Sequence, residues 1–115
     1  MKEGDVVLTP LLQADGKVKN RPAVVLREMP PFGDFLVCGV STKVHLAVSG
    51  FDDLIISQDD DFTGSGLMAN SLIRLGFLAV QPRKGIVGSI GAIAPERHRL
   101  LLQRLSDYLL EDQPR

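Results

Sequence analysis

Three cations stand directly before an apolar run near the start of the chain. The stretch GKVKNRPAVVL contains Lys17, Lys19 and Arg21, and Pro22 follows the arginine. The apolar residues 23–26 predict a short strand that is buried on both faces, and the proline ring restricts the backbone directly behind the arginine. An arginine held at the mouth of a rigid strand is suited to phosphate binding, because its planar guanidinium grips two oxygens at once. The alternative, a surface arginine that ends a strand, stays open from this stretch alone.

The charge of the chain is unevenly distributed. The formal net charge is −1, which argues against a protein coated in basic residues for nucleic-acid binding. Residues 16–27 nevertheless hold four cations and no acid, whereas residues 44–73 hold no lysine or arginine. The second segment carries five aspartates, at positions 52, 53, 59, 60 and 61. This distribution predicts a basic pocket beside an acidic rim.

Length and composition indicate one globular domain, residues 1–115, because 44% of the residues are apolar and 23% are charged. Cys38 is the single cysteine, so no internal disulfide or cysteine cluster for zinc is expected, and its apolar surroundings predict a small buried hydrophobe. The N-terminus turns acidic too early for a secretory signal. No apolar run approaches the ~18–20 residues that span a bilayer. We expect a cytoplasmic protein that does not enter a membrane.

Neither a metal nor a cofactor is expected. The acidic run at residues 59–61 lacks the spaced ligands of a calcium loop. It is predicted to be a solvated turn.

Short apolar segments separated by Gly, Pro and Asp predict strands along most of the chain. The segments are residues 5–12, 23–26, 35–40, 71–74 and 86–93, with weaker signals at 45–48 and 54–57. Residues 75–80 are apolar but ambiguous. Many short strands followed by one helix predict a mainly β (α+β) fold, a small curled antiparallel sheet or barrel closed by a C-terminal helix.

The helix is predicted at about residues 95–110. Pro95 fits a first helical position, and Glu96 favours the positive end of the helix dipole. Apolar residues at helical spacing are expected to face the sheet, and these are Leu101, Leu105, Tyr108 and Leu109. Polar residues are expected in solvent, and these are Arg97, His98, Arg99 and Arg104. Residues 111–115 are predicted to fray.

Four motifs in order carry a resemblance to a known family. The chain reads GDVVL from residue 4, NRPAVVL from residue 20, SLIR from residue 71 and IVGSIGAI from residue 86. This order resembles the MazF/PemK toxins of bacterial toxin–antitoxin pairs. The resemblance implies an SH3-like barrel that pairs as a homodimer and cuts single-stranded RNA without a metal. The RNA's own 2′-hydroxyl is the nucleophile in that reaction, and a cyclic phosphate is the product.

The resemblance also implies roles for individual residues. Arg21 matches the family arginine at the cleavage site. Ser41 and Thr42 fall where the family commonly has a threonine facing the phosphate, although a turn-forming role is an equal alternative. Arg74 matches an arginine used for catalysis, and electrostatic support is expected because arginine is a poor proton donor. Its alternative is an ion pair with one of the acids of residues 52–61.

Further residues are expected to bind RNA. Lys17, Lys19 and Lys43 would add positive charge to the groove. His45, predicted in a strand near Ser41, would contact RNA and is a weak candidate base, because its ordinary pKa lies near neutrality. Half-buried packing is its alternative.

The sequence departs from the family at one expected proton-transfer group. Relatives often carry an aspartate two positions after the second arginine, whereas here Gly76 follows Arg74 and Leu75. Loss of one such group costs ~10²–10⁴-fold in rate. Two interpretations therefore stay open: an active endoribonuclease toxin, or a weakened or inactive module that binds RNA or an antitoxin tail. A third, a gyrase poison of the related CcdB fold, is not expected to need the arginine motifs.

The expected partners are single-stranded RNA, an acidic antitoxin and a second copy of the chain. A disordered acidic tail would be attracted to the same basic groove as RNA. The apolar residues 75–80 favour a homodimer, since a small monomer would leave them uncovered.

Overall fold

One six-stranded antiparallel sheet forms most of the computed structural model, which describes residues 1–112. The strands are β1 (Asp5–Leu12), β2 (Val18–Met29), β3 (Asp34–Ser41), β4 (Asp53–Ile55), β5 (Ser71–Gln81) and β6 (Gly88–Ala92). Their order across the sheet is β4-β5-β3-β2-β1-β6. The helices are the short α1 (Phe62–Ser65) and α2 (Pro95–Leu110). The sheet is curled into a half-barrel, and the predicted mainly β class with a C-terminal helix is confirmed.

The centre of the sheet is buried on both faces. All four residues of the run 23–26 are fully buried, as the sequence predicts. Val24 and Leu26 pack in one core with Leu101 and Leu105 of α2. The alternate residues of β2 pack in a second core on the other side of the sheet, which contains Ala23, Val25, Phe35 and Val37. The period-2 alternation of strand side chains thus divides the apolar residues between two cores.

Strand β5 contains a bulge beside its pairing with β3. Cys38 pairs with Leu78, but the next residue, Gly39, pairs with Arg74. Residues 75–77 of β5 therefore have no pairing partner on β3. The ambiguous segment 75–80 is thus strand, interrupted by a bulge that bends β5 and re-aims its side chains.

Other element predictions need correction. The weak strand predicted at residues 45–48 is wrong, because Val44–Leu46 forms a single 3₁₀ turn that lacks any buried residue. The second weak strand is shorter than predicted, Asp53–Ile55. The strand predicted at 86–93 begins only at Gly88, since the chain first makes a 3₁₀ turn over Arg83–Gly85. Glu111 and Asp112 follow α2 as exposed residues, and the predicted fraying of residues 113–115 lies outside the described residues.

The N-terminal half of α2 is held by aspartates rather than by solvent. Arg97 pairs with Asp53 at 2.7 Å, Asp59 at 3.0 Å and Asp61 at 2.8 Å. Arg104 donates to the backbone oxygen of Asp52 at 2.7 Å. The prediction that Arg97 and Arg104 are solvated is therefore wrong. So is the predicted solvated turn at residues 59–61, because two of its three carboxylates bind the helix.

His98 is also not a solvated residue. Its Nε2 donates to the backbone oxygen of Leu26 at 2.8 Å, and the side chain is half-buried. This contact ties α2 to the central strand β2. None of the helices in the described part of the chain combines the length and apolar character that crossing a bilayer requires.

Acid should weaken the fold through Asp61. The hydrogen bond from Arg97 lowers the pKa of this carboxyl, burial opposes that shift, and the backbone N–H of Ala94 adds to the lowering. A carboxyl with a lowered pKa in the folded state stabilises the protein above its unfolded pKa of about 3.9. We expect the free energy of unfolding to fall as the pH drops below about 4. Urea unfolding from pH 7 to 3 measures this.

The control for this prediction is the neighbouring exposed residue. Asp61→Asn should lower stability at pH 7 and flatten the fall towards acid, whereas Asp60→Asn should leave the curve unchanged. Equal pH curves for wild type and Asp61→Asn would show that the carboxyl is not the group that titrates.

Candidate functional site

A cavity of about 310 Å³ opens where strands β1, β2, β3 and β5 end on one side of the molecule. Four of its lining residues have side chains that can bind an anion, and these are Arg21, Ser41, Lys43 and Arg74. The remaining lining residues are apolar or uncharged, and they include Leu11, Gln13, Gly39, Leu46 and Phe77.

Strand pairing brings the two arginines together across 53 positions of sequence. Ala23 of β2 pairs with Gly39 of β3, and Gly39 pairs with Arg74 of β5. Arg21 lies two residues before Ala23 and Ser41 two residues after Gly39, so antiparallel pairing places both at the same end of the sheet. The pairing of β2, β3 and β5 therefore brings Arg21, Ser41 and Arg74 together.

The floor of the cavity depends on a glycine. A Cβ atom at Gly39 would lie 3.2 Å from Cγ of Phe77, tighter than normal packing allows. Phe77 belongs to the β5 bulge, and the guanidinium carbon of Arg74 lies 5.8 Å from its ring centroid. The bulge thus turns both side chains towards the cavity, and the aromatic face supports the arginine.

The electrostatics of the cavity favour an anion. Its wall contains the cations Arg21, Lys43 and Arg74 and lacks any Asp, Glu or His among the described residues. Every ion pair found within residues 1–112 uses other arginines, at positions 27, 83, 97 and 104. The alternative ion pair for Arg74 is therefore not formed. Asp53, Asp59 and Asp61 pair with Arg97 instead. The carboxylate of Asp52 accepts hydrogen bonds from the backbone N–H groups of Val48 and Leu75. Arg21 donates only a long hydrogen bond, 3.3 Å from its Nε to Oε1 of Gln13.

A second cavity of about 440 Å³ adjoins the first. Arg21, Val40 and Ser41 line both. Thr42, the other predicted hydroxyl, lines the second cavity and not the first. The predicted pair of hydroxyls is therefore divided between two adjoining spaces, with Arg21 on the boundary.

Three predicted residues line neither of these two cavities. Lys17 and Lys19 are exposed on the hairpin arm that leads to Arg21, and Lys19 lies within β2 itself rather than in a loop. His45 is exposed in the 3₁₀ turn Val44–Leu46, so both its predicted strand and its alternative of half-buried packing are wrong. These residues flank the cavity and do not form its wall.

Position 76 also lies outside the cavity wall. Gly76 is exposed, and a Cβ atom there would lie 3.9 Å from Cε2 of Phe51. Phe51, like Gly76, lines neither of the two cavities.

Sequence reasoning missed several wall residues. Gln13, Gly39 and Phe77 line the first cavity, and Met68 lines the second. A glycine inside a predicted strand was the one available signal, since it often marks a close approach to another group. Nothing in the local pattern distinguishes the other three from ordinary surface or core residues.

Other reactive groups are not placed for chemistry. Cys38 is fully buried, and burial raises the pKa of its thiol to about 12, so it stays protonated at neutral pH and behaves as the predicted small hydrophobe. Within residues 1–112, no group of three or more His, Cys, Asp or Glu side chains is arranged to hold a metal ion.

The fold and the cavity define a small curled-sheet protein with a cationic cleft suited to a phosphate group. Comparison with known structures then gives the fold its name. The chain is similar to the Mycobacterium tuberculosis toxin MazF-mt6, with a TM-score of 0.68, 17% identity, and coverage of 95% of this chain and 99% of that one. The chain therefore has a MazF-like toxin fold, and the predicted resemblance is confirmed at the level of the fold. Comparisons with protein-family models and with curated sequences give no match.

Proposed function

We propose that the protein is the toxin of a type II toxin–antitoxin pair and cleaves single-stranded RNA. The observation that carries this proposal is the convergence of Arg21 and Arg74, with Ser41 and Lys43, on one cavity whose described wall has no acid. A phosphodiester linkage is the ligand that matches two guanidinium groups and a hydroxyl in a space of about 310 Å³. The MazF-like fold supports the same class of activity.

The proposed reaction uses the substrate's own nucleophile. The 2′-oxygen bonds to the adjacent phosphorus, the bond from phosphorus to the 5′-oxygen breaks, and a 2′,3′-cyclic phosphate and a 5′-hydroxyl result. Arg21 and Arg74 bind the non-bridging oxygens, on which negative charge grows, and Ser41 donates a hydrogen bond to the same group. The guanidinium groups supply this charge stabilisation themselves, so the reaction is proposed to need no metal or cofactor.

Water is proposed to carry the protons. The described wall of the first cavity contains no Asp, Glu or His, the side chains that most often act as general bases. The proton of the 2′-hydroxyl therefore leaves to solvent, and solvent protonates the departing 5′-oxygen. A site without a dedicated proton-transfer group is expected to be slower by ~10²–10⁴-fold than one that has it.

The same observation favours a second candidate function. A cavity that binds the phosphate but lacks a carboxylate or imidazole on its described wall would suit a module that holds RNA or an acidic antitoxin tail without cutting. Both ligands are anions and would compete for Arg21 and Arg74. We propose a homodimer in the cytoplasm as the working form in either case.

The decisive experiment is incubation of the purified protein with a long single-stranded RNA in the presence of a metal chelator. Fragments that end in a cyclic phosphate are expected from the toxin. Retention of intact RNA on the protein, measured by gel shift, would instead support the binding module. An RNA that is neither cut nor bound would overturn both the endoribonuclease and the RNA-binding module.

An aspartate at position 76, as in the relatives, is not expected to increase the rate of RNA cleavage. Gly76→Asp is expected to leave the rate of RNA cleavage unchanged, because the new side chain would lie beside Phe51 and outside the cavity. The measurement is the initial cleavage rate of both proteins on the same RNA. A rise of roughly tenfold or more would mean that the carboxylate reaches the phosphate and takes part in proton transfer.

A further inference from the structure

Gln13 contacts Arg21 at the wall of the first cavity. It directly follows β1, at the start of the turn that leads to β2. Arg21 pairs with Thr9 of β1, and the alternation of side chains along the strands places Arg21 and Gln13 on one face of the hairpin. Nε of Arg21 donates to Oε1 of Gln13 at 3.3 Å. Both side chains line the first cavity.

Further hydrogen bonds hold Gln13 in place. Its backbone N–H donates to the oxygen of Lys17 at 2.8 Å, and its backbone oxygen accepts from the N–H of Gly16 at 3.0 Å. Its side-chain Nε2 donates to the backbone oxygen of Leu11 at 2.9 Å. This last contact orients the side-chain amide, because it uses the nitrogen and leaves the oxygen for Arg21. Gln13 is therefore a fixed acceptor and not a freely rotating surface side chain.

We propose that Gln13 is a positioning residue for Arg21, which holds the guanidinium with its two terminal nitrogens free for the phosphate of the RNA. This inference rests on the proposed function, since it takes a phosphodiester as the ligand of the first cavity. A guanidinium has five N–H donors. Gln13 accepts the single one on Nε, and the four on Nη1 and Nη2 remain for two phosphate oxygens. Because an exposed arginine has many rotamers, holding it before RNA binds reduces the entropy that binding costs.

The neutral charge of the acceptor is part of this arrangement. A carboxylate at position 13 would also accept from Nε, but its negative charge would oppose a phosphate that binds the same guanidinium. An amide oxygen restrains the arginine and leaves its charge for the ligand. The wall of the cavity has no Asp or Glu among the described residues, in agreement with this role. The presence of an acceptor and the charge of that acceptor should therefore have separable effects.

The test separates the hydrogen bond from the shape of the side chain. Gln13→Met keeps the length of the side chain and removes its acceptor, whereas Gln13→Glu keeps an acceptor and adds a charge. One readout is the single-turnover rate of RNA cleavage, and the other is the NMR signal of the Arg21 Nε–H group in the free protein. Gln13→Met is expected to lose about three- to tenfold in rate, the scale of one hydrogen bond. Its Arg21 signal should move towards that of a solvated arginine.

Gln13→Glu should give the opposite combination. It should retain the signal of a hydrogen-bonded Nε–H group and yet cleave RNA about threefold more slowly than Gln13→Met. A residue that only supports the turn would not separate the two readouts in this way. The matched control is Gln103→Met, because Gln103 lies on α2 and lines neither cavity. This variant should match wild type in both readouts.

A double variant tests whether Gln13 acts through Arg21. Gln13→Met in the Arg21→Lys background should cost no further rate, because lysine has a methylene group where arginine has Nε. An equal loss in both backgrounds would overturn this inference alone, as would a wild-type rate in Gln13→Met or in Gln13→Glu. Wild-type protein that neither cuts nor binds RNA would overturn the proposed function and this inference together. If wild type binds RNA without cutting it, the same ratios are expected in the Kd for that RNA.

Discussion

Arg21→Ala should reduce the rate of RNA cleavage by about 10²–10³-fold, the loss expected when one preorganised donor to a developing oxyanion is removed. Arg21 lines both cavities, so its replacement removes a cation from both of them. Its side chain is exposed and makes no ion pair within residues 1–112. The thermal unfolding midpoint should therefore stay close to that of wild type. The measurement is a single-turnover cleavage rate, with unfolding followed in parallel.

A matched control comes from the same strand. Arg27 also lies in β2 but is outside the cavity and pairs with Glu3 at 3.3 Å, so Arg27→Ala should cleave RNA at the wild-type rate. Arg21→Lys should lie between wild type and Arg21→Ala, because lysine keeps the charge but loses the two-pronged grip. A wild-type rate in Arg21→Ala would contradict the proposed site.

The second arginine gives a test of convergence. If Arg21 and Arg74 hold the same phosphate, removing both should cost less than the product of the two single losses, since groups that act as a unit are not additive. Independent, multiplicative losses would place the two arginines on different parts of the RNA.

Arg97→Ala should lower the free energy of unfolding by about 3 kcal/mol, the scale on which removal of one partner of a buried ion pair destabilises a protein. The Arg97 side chain is 14% exposed, and Asp53 and Asp61 are similarly covered at 15% and 13%. Without the guanidinium, these carboxylates stay close together in a poorly solvated site. The anchor between α2 and the segment of residues 53–61 is lost with it.

The control for Arg97 lies on the same helix. Arg99 is exposed, so Arg99→Ala should change the free energy of unfolding by no more than about 0.5 kcal/mol. Urea unfolding at pH 7 measures both variants. The difference between wild type and Arg97→Ala should shrink at pH 3, where the carboxylates take up protons. A loss of under about 1 kcal/mol at pH 7 would mean that the network is worth no more than a surface ion pair.

Arg21 and Arg97 are expected to affect different properties. Replacement of Arg21 should change the rate of RNA cleavage, and replacement of Arg97 should change the free energy of unfolding. Arg21 makes no ion pair within residues 1–112. Three of the five aspartates in the acidic segment, Asp53, Asp59 and Asp61, pair with Arg97 of α2. The predicted acidic rim is therefore partly neutralised by the helix, and the cationic cavity remains unpaired.

The amino-acid sequence by itself determined the class of fold and the position of the first arginine. Alternating and continuous apolar runs reflect how each strand meets the core, a local property that survives in the pattern of residues 23–26. The Arg21–Pro22 motif could also be recognised from the sequence, because it consists of adjacent residues and does not depend on distant contacts. The helix at Pro95–Leu110 followed from its proline start and apolar spacing.

Tertiary structure alone decided which residues meet. The bulge of β5, opposite the step from Cys38 to Gly39, places Phe77 and Arg74 on the cavity wall, whereas Gly76 is not part of that wall. Arg97 pairs with aspartates that lie tens of residues away in the chain. The conformation of the loop that contains Met68 depends on backbone packing. The β5 bulge and the close backbone contacts arise between distant parts of the chain, and the local residue pattern does not encode them.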